Sequence, residues 1–205
     1  MSSLAQRLFD TGCVQFGTFT LKSGLTSPIY VDLRLLVSDP PLLREVARTM
    51  AERAQTLTFD RIAAIPYAGL PIGTALSLEM GRPLIYPRQR VKAHGTQRII
   101  EGKFEAGETA LVVDDLITQG ASKVEAIAPL EEAGLTVTDV LVLINRGQGG
   151  ARELAQMGYK LHAIFHLTDI LENLRASGRI TPVQHADTLR YLGNTGPSTD
   201  SKPKT

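Results

Sequence analysis

Apolar positions recur with two different periods along this 205-residue chain. Leu43, Val46, Ala47 and Met50 share one face of a helical repeat, which predicts a helix over residues 42–55. Asp39 or Ser38 can cap it, and Pro40 and Pro41 suit its first turn. Residues 4–10 also read as a helix, and Phe16 to Leu36 as short strands and loops. From residue 61 the rhythm changes. Short apolar runs at 61–66, 84–86, 109–115, 139–145 and 161–165 read as strands. Helical stretches at 70–80, 122–133 and 151–157 fill three of the four gaps between these runs, with Gly81 and Gly134 as stops and Pro129 as an internal blemish.

Strands alternating with helices predict an α/β fold, a central parallel sheet with right-handed crossovers and helices on its faces. Two segments break the rhythm. Residues 88–105 are polar, rich in Arg, Lys and Gly, and read as a mobile functional loop. Residues 193–205 have the composition of a disordered tail. The expected organisation is one domain over 1–192, with a small N-terminal hood mainly from 1–40.

Composition narrows the classes. A hydrophobic fraction of 43% supports a real core, and a formal charge of +1 argues against general nucleic-acid binding. The single Cys13 excludes an intrachain disulfide and a Cys-rich zinc site, and reads as a small buried hydrophobe. No apolar run reaches membrane-spanning length, and the first residues lack a signal-peptide core. The expectation is a cytoplasmic protein.

The candidate chemistry is concentrated between Leu111 and Ser122. The run Leu111-Val112-Val113 delivers Asp114 and Asp115 to the carboxyl end of a buried strand, where open α/β sheets bind ligands. Leu116, Ile117, Thr118, Gln119, Gly120, Ala121 and Ser122 then lead into a helix. Small side chains and backbone N–H groups at a helix N-terminus suit a phosphate. The carboxylates cannot bind that phosphate and suit hydroxyls or a cation beside it. A sugar diol next to a phosphate is a phosphorylated ribose. Neither a Walker loop nor a dinucleotide-binding glycine pattern is present.

Four further segments fall in register with this one: Leu21-Lys22-Ser23-Gly24 leading to Ser27-Pro28-Ile29-Tyr30-Val31, then Pro66-Tyr67-Ala68-Gly69, Arg88-Gln89-Arg90-Val91-Lys92-Ala93-His94-Gly95, and Asn145-Arg146-Gly147-Gln148-Gly149-Gly150. Lys22, Tyr30 and Arg146 taken singly are ordinary turn, core and surface residues. His94 has no second ligand at metal spacing, and His162, His166 and His185 read as structural or surface residues. Taken together, these segments resemble the orotate phosphoribosyltransferases of the type I phosphoribosyltransferase group, most nearly the transferase half of the bifunctional UMP synthases. The resemblance runs from about Leu4 to Gly193, and it implies a transferase half standing alone.

The resemblance implies transfer of the phosphoribosyl group of 5-phosphoribosyl 1-diphosphate (PRPP) to orotate, with Mg²⁺ held mainly through PRPP and no metal-ligating side chain. It places Lys22, Tyr67 and Ala68 at the pyrophosphate, and Asp114 and Asp115 at the ribose hydroxyls. Leu116 to Ser122 would wrap the 5-phosphate. Tyr30, Val31, Thr118 and Arg146 would meet orotate, with Arg146 on its carboxylate. Arg88, Gln89, Lys92 and His94 would form the PRPP-contacting loop, with Lys92 and His94 catalytic alongside the two aspartates. The family's loop closes over a neighbouring subunit, which implies a homodimer. The chain departs from the family at Gln89, where a lysine is usual, at Arg90, where an acid is usual, and at Asn145, where an aspartate is usual. Two other readings stay open: a transferase for another base, and a PRPP-binding regulator without turnover.

Overall fold

The computed structural model describes residues 3–21, 24, 26–88 and 99–195. Lys22, Gln89, Arg90, Lys92 and His94 lie outside the described residues.

Helix α1 (Leu4–Asp10) begins on a capping box, in which Ser3 and Gln6 satisfy each other's backbone N–H groups. Strands β1 (Val14–Thr20) and β2 (Thr26–Val31) form an antiparallel pair. A 3₁₀ turn (Leu33–Ser38) then leads to α2 (Pro40–Ala54). Of the two possible caps for α2, Asp39 serves: its Oδ1 accepts from the Leu42 N–H at 2.9 Å.

The main sheet contains β3 (Arg61–Ala64), β4 (Leu84–Pro87), β5 (Ile100–Glu101), β6 (Thr109–Ile117), β7 (Thr136–Asn145) and β8 (Lys160–His166). Its spatial order is β5-β4-β3-β6-β7-β8. All neighbours are parallel except the edge pair β4 and β5. The helices α3 (Gly69–Met80), α4 (Ala121–Glu132) and α5 (Gly150–Gln156) connect consecutive strands. Helix α3 stops at Gly81, which takes a left-handed φ of +62° that favours glycine.

β6 is central, so it is apolar on both faces. Leu111 and Val113 join the core shared with α2 and α3, while Ala110 and Val112 join the core beneath α4. Burying each such Val or Leu contributes roughly 1.5–3 kcal/mol, which makes this strand a rigid support for the loop at its carboxyl end. Cys13 is fully buried in the first of these cores.

The structure corrects the sequence reading at five places. β3, read as running from 61 to 66, ends at Ala64, leaving Pro66 in a turn. β6 runs on to Ile117, because Leu116 and Ile117 still pair with Ile144 and Asn145; both acids therefore lie within the strand. The segment read as an aperiodic loop over 88–105 contains β5, an antiparallel edge to the otherwise parallel sheet. Two helices went unread, α6 (Leu167–Ala176) and α7 (Pro182–Thr195). The tail read from residue 193 begins no earlier than 196, since α7 runs to Thr195. Beside the expected hood, α6 packs on α1, and α7 packs on β2.

Asp39→Ala removes the α2 cap. A loss of about 1 kcal/mol in unfolding free energy is expected, within a usual range of roughly 0.5–2. Urea denaturation of the parent and the variant measures it, and an unchanged midpoint would show that the 3₁₀ turn holds α2 without the cap.

Candidate active site

The site forms at the carboxyl ends of β3, β6 and β7. Asp114 is 5% exposed. Its Oδ1 accepts from the N–H of Asp115 at 2.8 Å, and its Oδ2 is paired with the ammonium of Lys123 on α4. Gly69 opens α3 directly above: a Cβ there would stand 2.8 Å from Asp114 Oδ1, so a larger residue would push the carboxylate aside.

Lys123 is also buried, at 7% exposure. It lies in the first turn of its helix, where the dipole disfavours a cation, so its pairing with Asp114 is what holds it there. Sequence reasoning missed it. The signal was present, because Lys123, Ile127 and Leu130 form the buried face of α4 at spacings of four and three. A lysine on an apolar stripe calls for a buried counter-charge.

Asp115 is half-buried, and its Oδ1 accepts from the Leu116 N–H at 2.7 Å. Burial, then the charge of Asp114, pushes its carboxyl up to about 7, against a smaller opposing pull from Lys123. Beyond Thr118 the chain turns into α4 with no side-chain cap. The first amides of α4 therefore face outward as an anion-binding end.

A cavity of about 510 Å³ opens beside this end, lined by Ile65, Pro66, Pro87, Arg88, Ser122 and Lys123. Arg88 forms an ion pair with Glu101 across β4 and β5. Tyr67 is 71% exposed and Ala68 half-buried, in the turn that follows the cavity-lining Pro66. A larger hollow of about 930 Å³ opens against Arg61, at the amino end of β3, away from the carboxylates. It holds no cluster of reactive groups, and Arg61 is committed to Glu108 at 2.6 Å.

On the other side of β6, Asn145 is buried and its Oδ1 accepts from the Gly147 N–H at 2.9 Å, forming the turn into α5. Arg146 donates its backbone N–H to the Ile117 carbonyl at 3.0 Å. The Nε and Nη2 of Arg146 are buried with no hydrogen-bond partner among the described residues. Burial pushes the guanidinium below its ordinary value, and the Tyr191 hydroxyl on α7 partly offsets this. An arginine remains charged at neutral pH even so. A buried cation with two idle donors asks for an anion. Tyr191 was not foreseen, because the helix that carries it was not read.

Tyr30 is half-buried, stacks on Phe19 at 5.4 Å, and takes a hydrogen bond from Arg34 at 3.1 Å; Val31 follows it at the end of β2. α7 packs on β2, which carries Tyr30 and Val31, and also meets Arg146 through Tyr191. Of the histidines, His162 is buried between Asp139 and Arg53, and His185 bonds Glu172. His166 is exposed.

The same arrangement of elements occurs in proteins already characterised. The orotate phosphoribosyltransferase of Caenorhabditis elegans is 34% identical over 189 residues, which cover 91% of this chain and 83% of that protein. The chain belongs to the orotate phosphoribosyltransferase family. The bifunctional enzyme PyrF/PyrE of Nostoc sp. is 41% identical over 184 residues, covering 90% of this chain and 39% of that protein. The solved structure of Leishmania donovani UMP synthase superimposes with a TM-score of 0.86 and 46% identity, over 93% of this chain and 42% of that one. The chain thus spans less than half the length of these two larger proteins. No protein-family model matches it. The fold is that of the type I phosphoribosyltransferases. No helix among the described residues is long and apolar enough to cross a membrane.

The raised Asp115 carboxyl has a consequence for stability. The unfolded chain ionises this group near pH 4, while the folded chain holds its proton to about 7. Its stabilising contribution is full in acid and is lost as pH rises through 7. Asp115→Asn abolishes that loss. The stability difference between variant and parent is expected to widen in the variant's favour by roughly 2–3 kcal/mol from pH 5 to pH 8. Denaturant unfolding at the two pH values checks it. A difference that stays constant with pH would mean that Asp115 is ionised in the folded protein throughout.

Proposed function

We propose that this chain is an orotate phosphoribosyltransferase of pyrimidine biosynthesis. It would transfer the 5-phosphoribosyl group of PRPP to N1 of orotate and release pyrophosphate. The observation that carries this reading is Arg146, whose two unpartnered donors are buried one residue beyond the strand that lies beside Asp114 and Asp115. A planar guanidinium fork matches a carboxylate on a planar base. Uracil and the purine bases bear no such carboxylate, and this favours orotate over another base.

The reaction breaks the bond from the anomeric carbon to pyrophosphate. Positive charge develops on the ribose and negative charge on the leaving group. Pre-placed opposite charges stabilise that separation, each donor typically contributing about 10²–10³ in rate. Asp114 and Asp115 would hold the ribose hydroxyls, and Asp115, the acid that Lys123 does not neutralise, would face the developing positive charge once ionised. Amides and side chains from Leu116 to Ser122 would hold the 5-phosphate. Lys22, Tyr67 and Ala68 would contact the pyrophosphate, and Arg88, Gln89, Lys92 and His94 would close over it. Tyr30, Val31 and Thr118 would flank orotate. A closed loop keeps water from the reactive sugar.

The donor set also suits Mg²⁺. The described residues hold no group of three or more His, Cys, Asp or Glu side chains able to cage a metal, and Asp114 is already committed to Lys123. A magnesium ion carried by pyrophosphate and ribose oxygens, with few protein ligands, fits such a site. When bound, it supplies charge neutralisation at the leaving pyrophosphate. The enzyme would act in the cytoplasm as a homodimer whose loop serves the neighbouring site.

Loss of orotate absorbance in the presence of PRPP and Mg²⁺ tests the assignment, and no loss at high enzyme concentration would overturn it in favour of a transferase for another base or a PRPP-binding regulator, which turnover of PRPP with uracil or hypoxanthine separates. Arg146→Ala should raise the KM for orotate far more than that for PRPP. The cost of losing a buried, charge-assisted fork is on the order of 2–5 kcal/mol. Equal effects on both substrates would take Arg146 off the base. For the dimer, Lys92→Ala and Asp115→Asn should each be nearly inactive alone and recover activity as mixed heterodimers. Absence of recovery after verified subunit exchange would assign the loop to its own subunit.

A further inference from the structure

The loop from Thr118 to Ser122 does not stand on α4 alone. It is clamped by the turn that leaves β7. Gly150 donates its N–H to the Thr118 carbonyl at 3.0 Å, and Arg146 donates to Ile117 at 3.0 Å. Glu153, half-buried in the first turn of α5, accepts the Gly120 N–H on Oε2 at 2.6 Å. The fit is close. A Cβ on Gly120 would stand 2.9 Å from the Glu153 Cβ, and a Cβ on Gly150 would stand 2.6 Å from Ile117 Cγ1.

A carboxylate beside a phosphate-binding loop repels the phosphate. Glu153 takes part in no ion pair among the described residues, so no cation there cancels that charge. Its position therefore has to be justified by what it holds. It holds the peptide N–H that directly precedes α4. Losing that bond frees the Gly120 peptide to rotate, and glycine resists rotation less than any other residue. The amides of Ala121 and Ser122 would then lose their common direction.

We propose that Glu153 is a positioning residue for PRPP. It orients the Gly120 peptide so that the following amides converge on the 5-phosphate, and it does so as a hydrogen-bond acceptor, with its charge incidental. The turn carrying Arg146 and Glu153 thereby supports the base side and the phosphate side of the site together. This inference rests on the assignment of the loop to the 5-phosphate.

Glu153→Met keeps the side-chain length and removes the acceptor, and Glu153→Ala removes both. Glu153→Gln keeps an acceptor oxygen without the charge. Steady-state kinetics on the full chain should show the KM for PRPP rising about tenfold in the Met and Ala variants, the scale of one lost hydrogen bond. Turnover and the KM for orotate should stay within about threefold, and the Gln variant should return the KM for PRPP to near the parent value. Calorimetric titration with PRPP should give the same order of affinities, and it does not require turnover, so a wrong choice of base leaves this comparison intact. The inference fails if the Met variant binds PRPP like the parent, if the KM values for both substrates rise together, or if the Gln variant is as impaired as the Met variant. Should the Met and Ala variants not fold, the Gln variant decides: PRPP affinity at or above that of the parent supports the acceptor role, and a tenfold loss overturns it.

Discussion

The site is organised around one buried ion pair, Asp114 with Lys123. A carboxylate at 5% exposure and an ammonium at 7% would each be too costly to hold alone. Each is tolerable because the other is present. The pair ties the end of β6 to the first turn of α4, the two elements that bracket the loop from Thr118 to Gly120. It also bears on the state of the neighbouring acid. Burial first, and the negative charge held at Asp114 second, disfavour ionisation of Asp115, whose carboxyl is pushed up to about 7. Two adjacent aspartates therefore stand in different electrostatic states: Asp114 is neutralised by Lys123, and Asp115 has no such partner among the described residues.

The second organising feature is the turn between β7 and α5. Asn145 shapes it with the acceptor oxygen that an aspartate would also supply, so the departure from the family at this position keeps the hydrogen bond and drops the charge. From this turn Arg146 reaches inward with two idle donors, and Glu153 reaches back to the loop. The resulting frame joins the ends of β6 and β7 and the start of α5 through backbone and side-chain hydrogen bonds. It is a rigid support of the kind that electrostatic catalysis needs, because charges that must reorganise during the reaction lose much of their effect.

Much of this was legible in the amino-acid sequence. The strand, the two acids and the small-residue loop follow one another within twelve positions, and that order alone points to a sugar phosphate. The helix α2, its Asp39 cap and the stop at Gly81 were readable for the same reason: their signals span a few residues. α6 was equally readable, since Leu167, Ile170, Leu171 and Leu174 stand at helical spacing, and its omission was an error of reading. The extension of β6 to Ile117 was different. It depends on pairing with Ile144 and Asn145 in another strand, and nothing local distinguishes Leu116 and Ile117 as strand from the start of a loop.

The sequence by itself determined the alternation of strands and helices, the place of Asp114 and Asp115 at the ligand-binding rim, and the family. These rest on periodicity and on short-range steric and capping preferences, which act between near neighbours in the chain. Only the tertiary structure decided that Lys123 neutralises Asp114, that Tyr191 supports Arg146 from a distant helix, and that Glu153 holds the Gly120 amide across a separation of 33 residues. The strength of a charge or a hydrogen bond depends on burial and on which groups approach within a few ångströms. Both are set by packing, and no local pattern of residues encodes them.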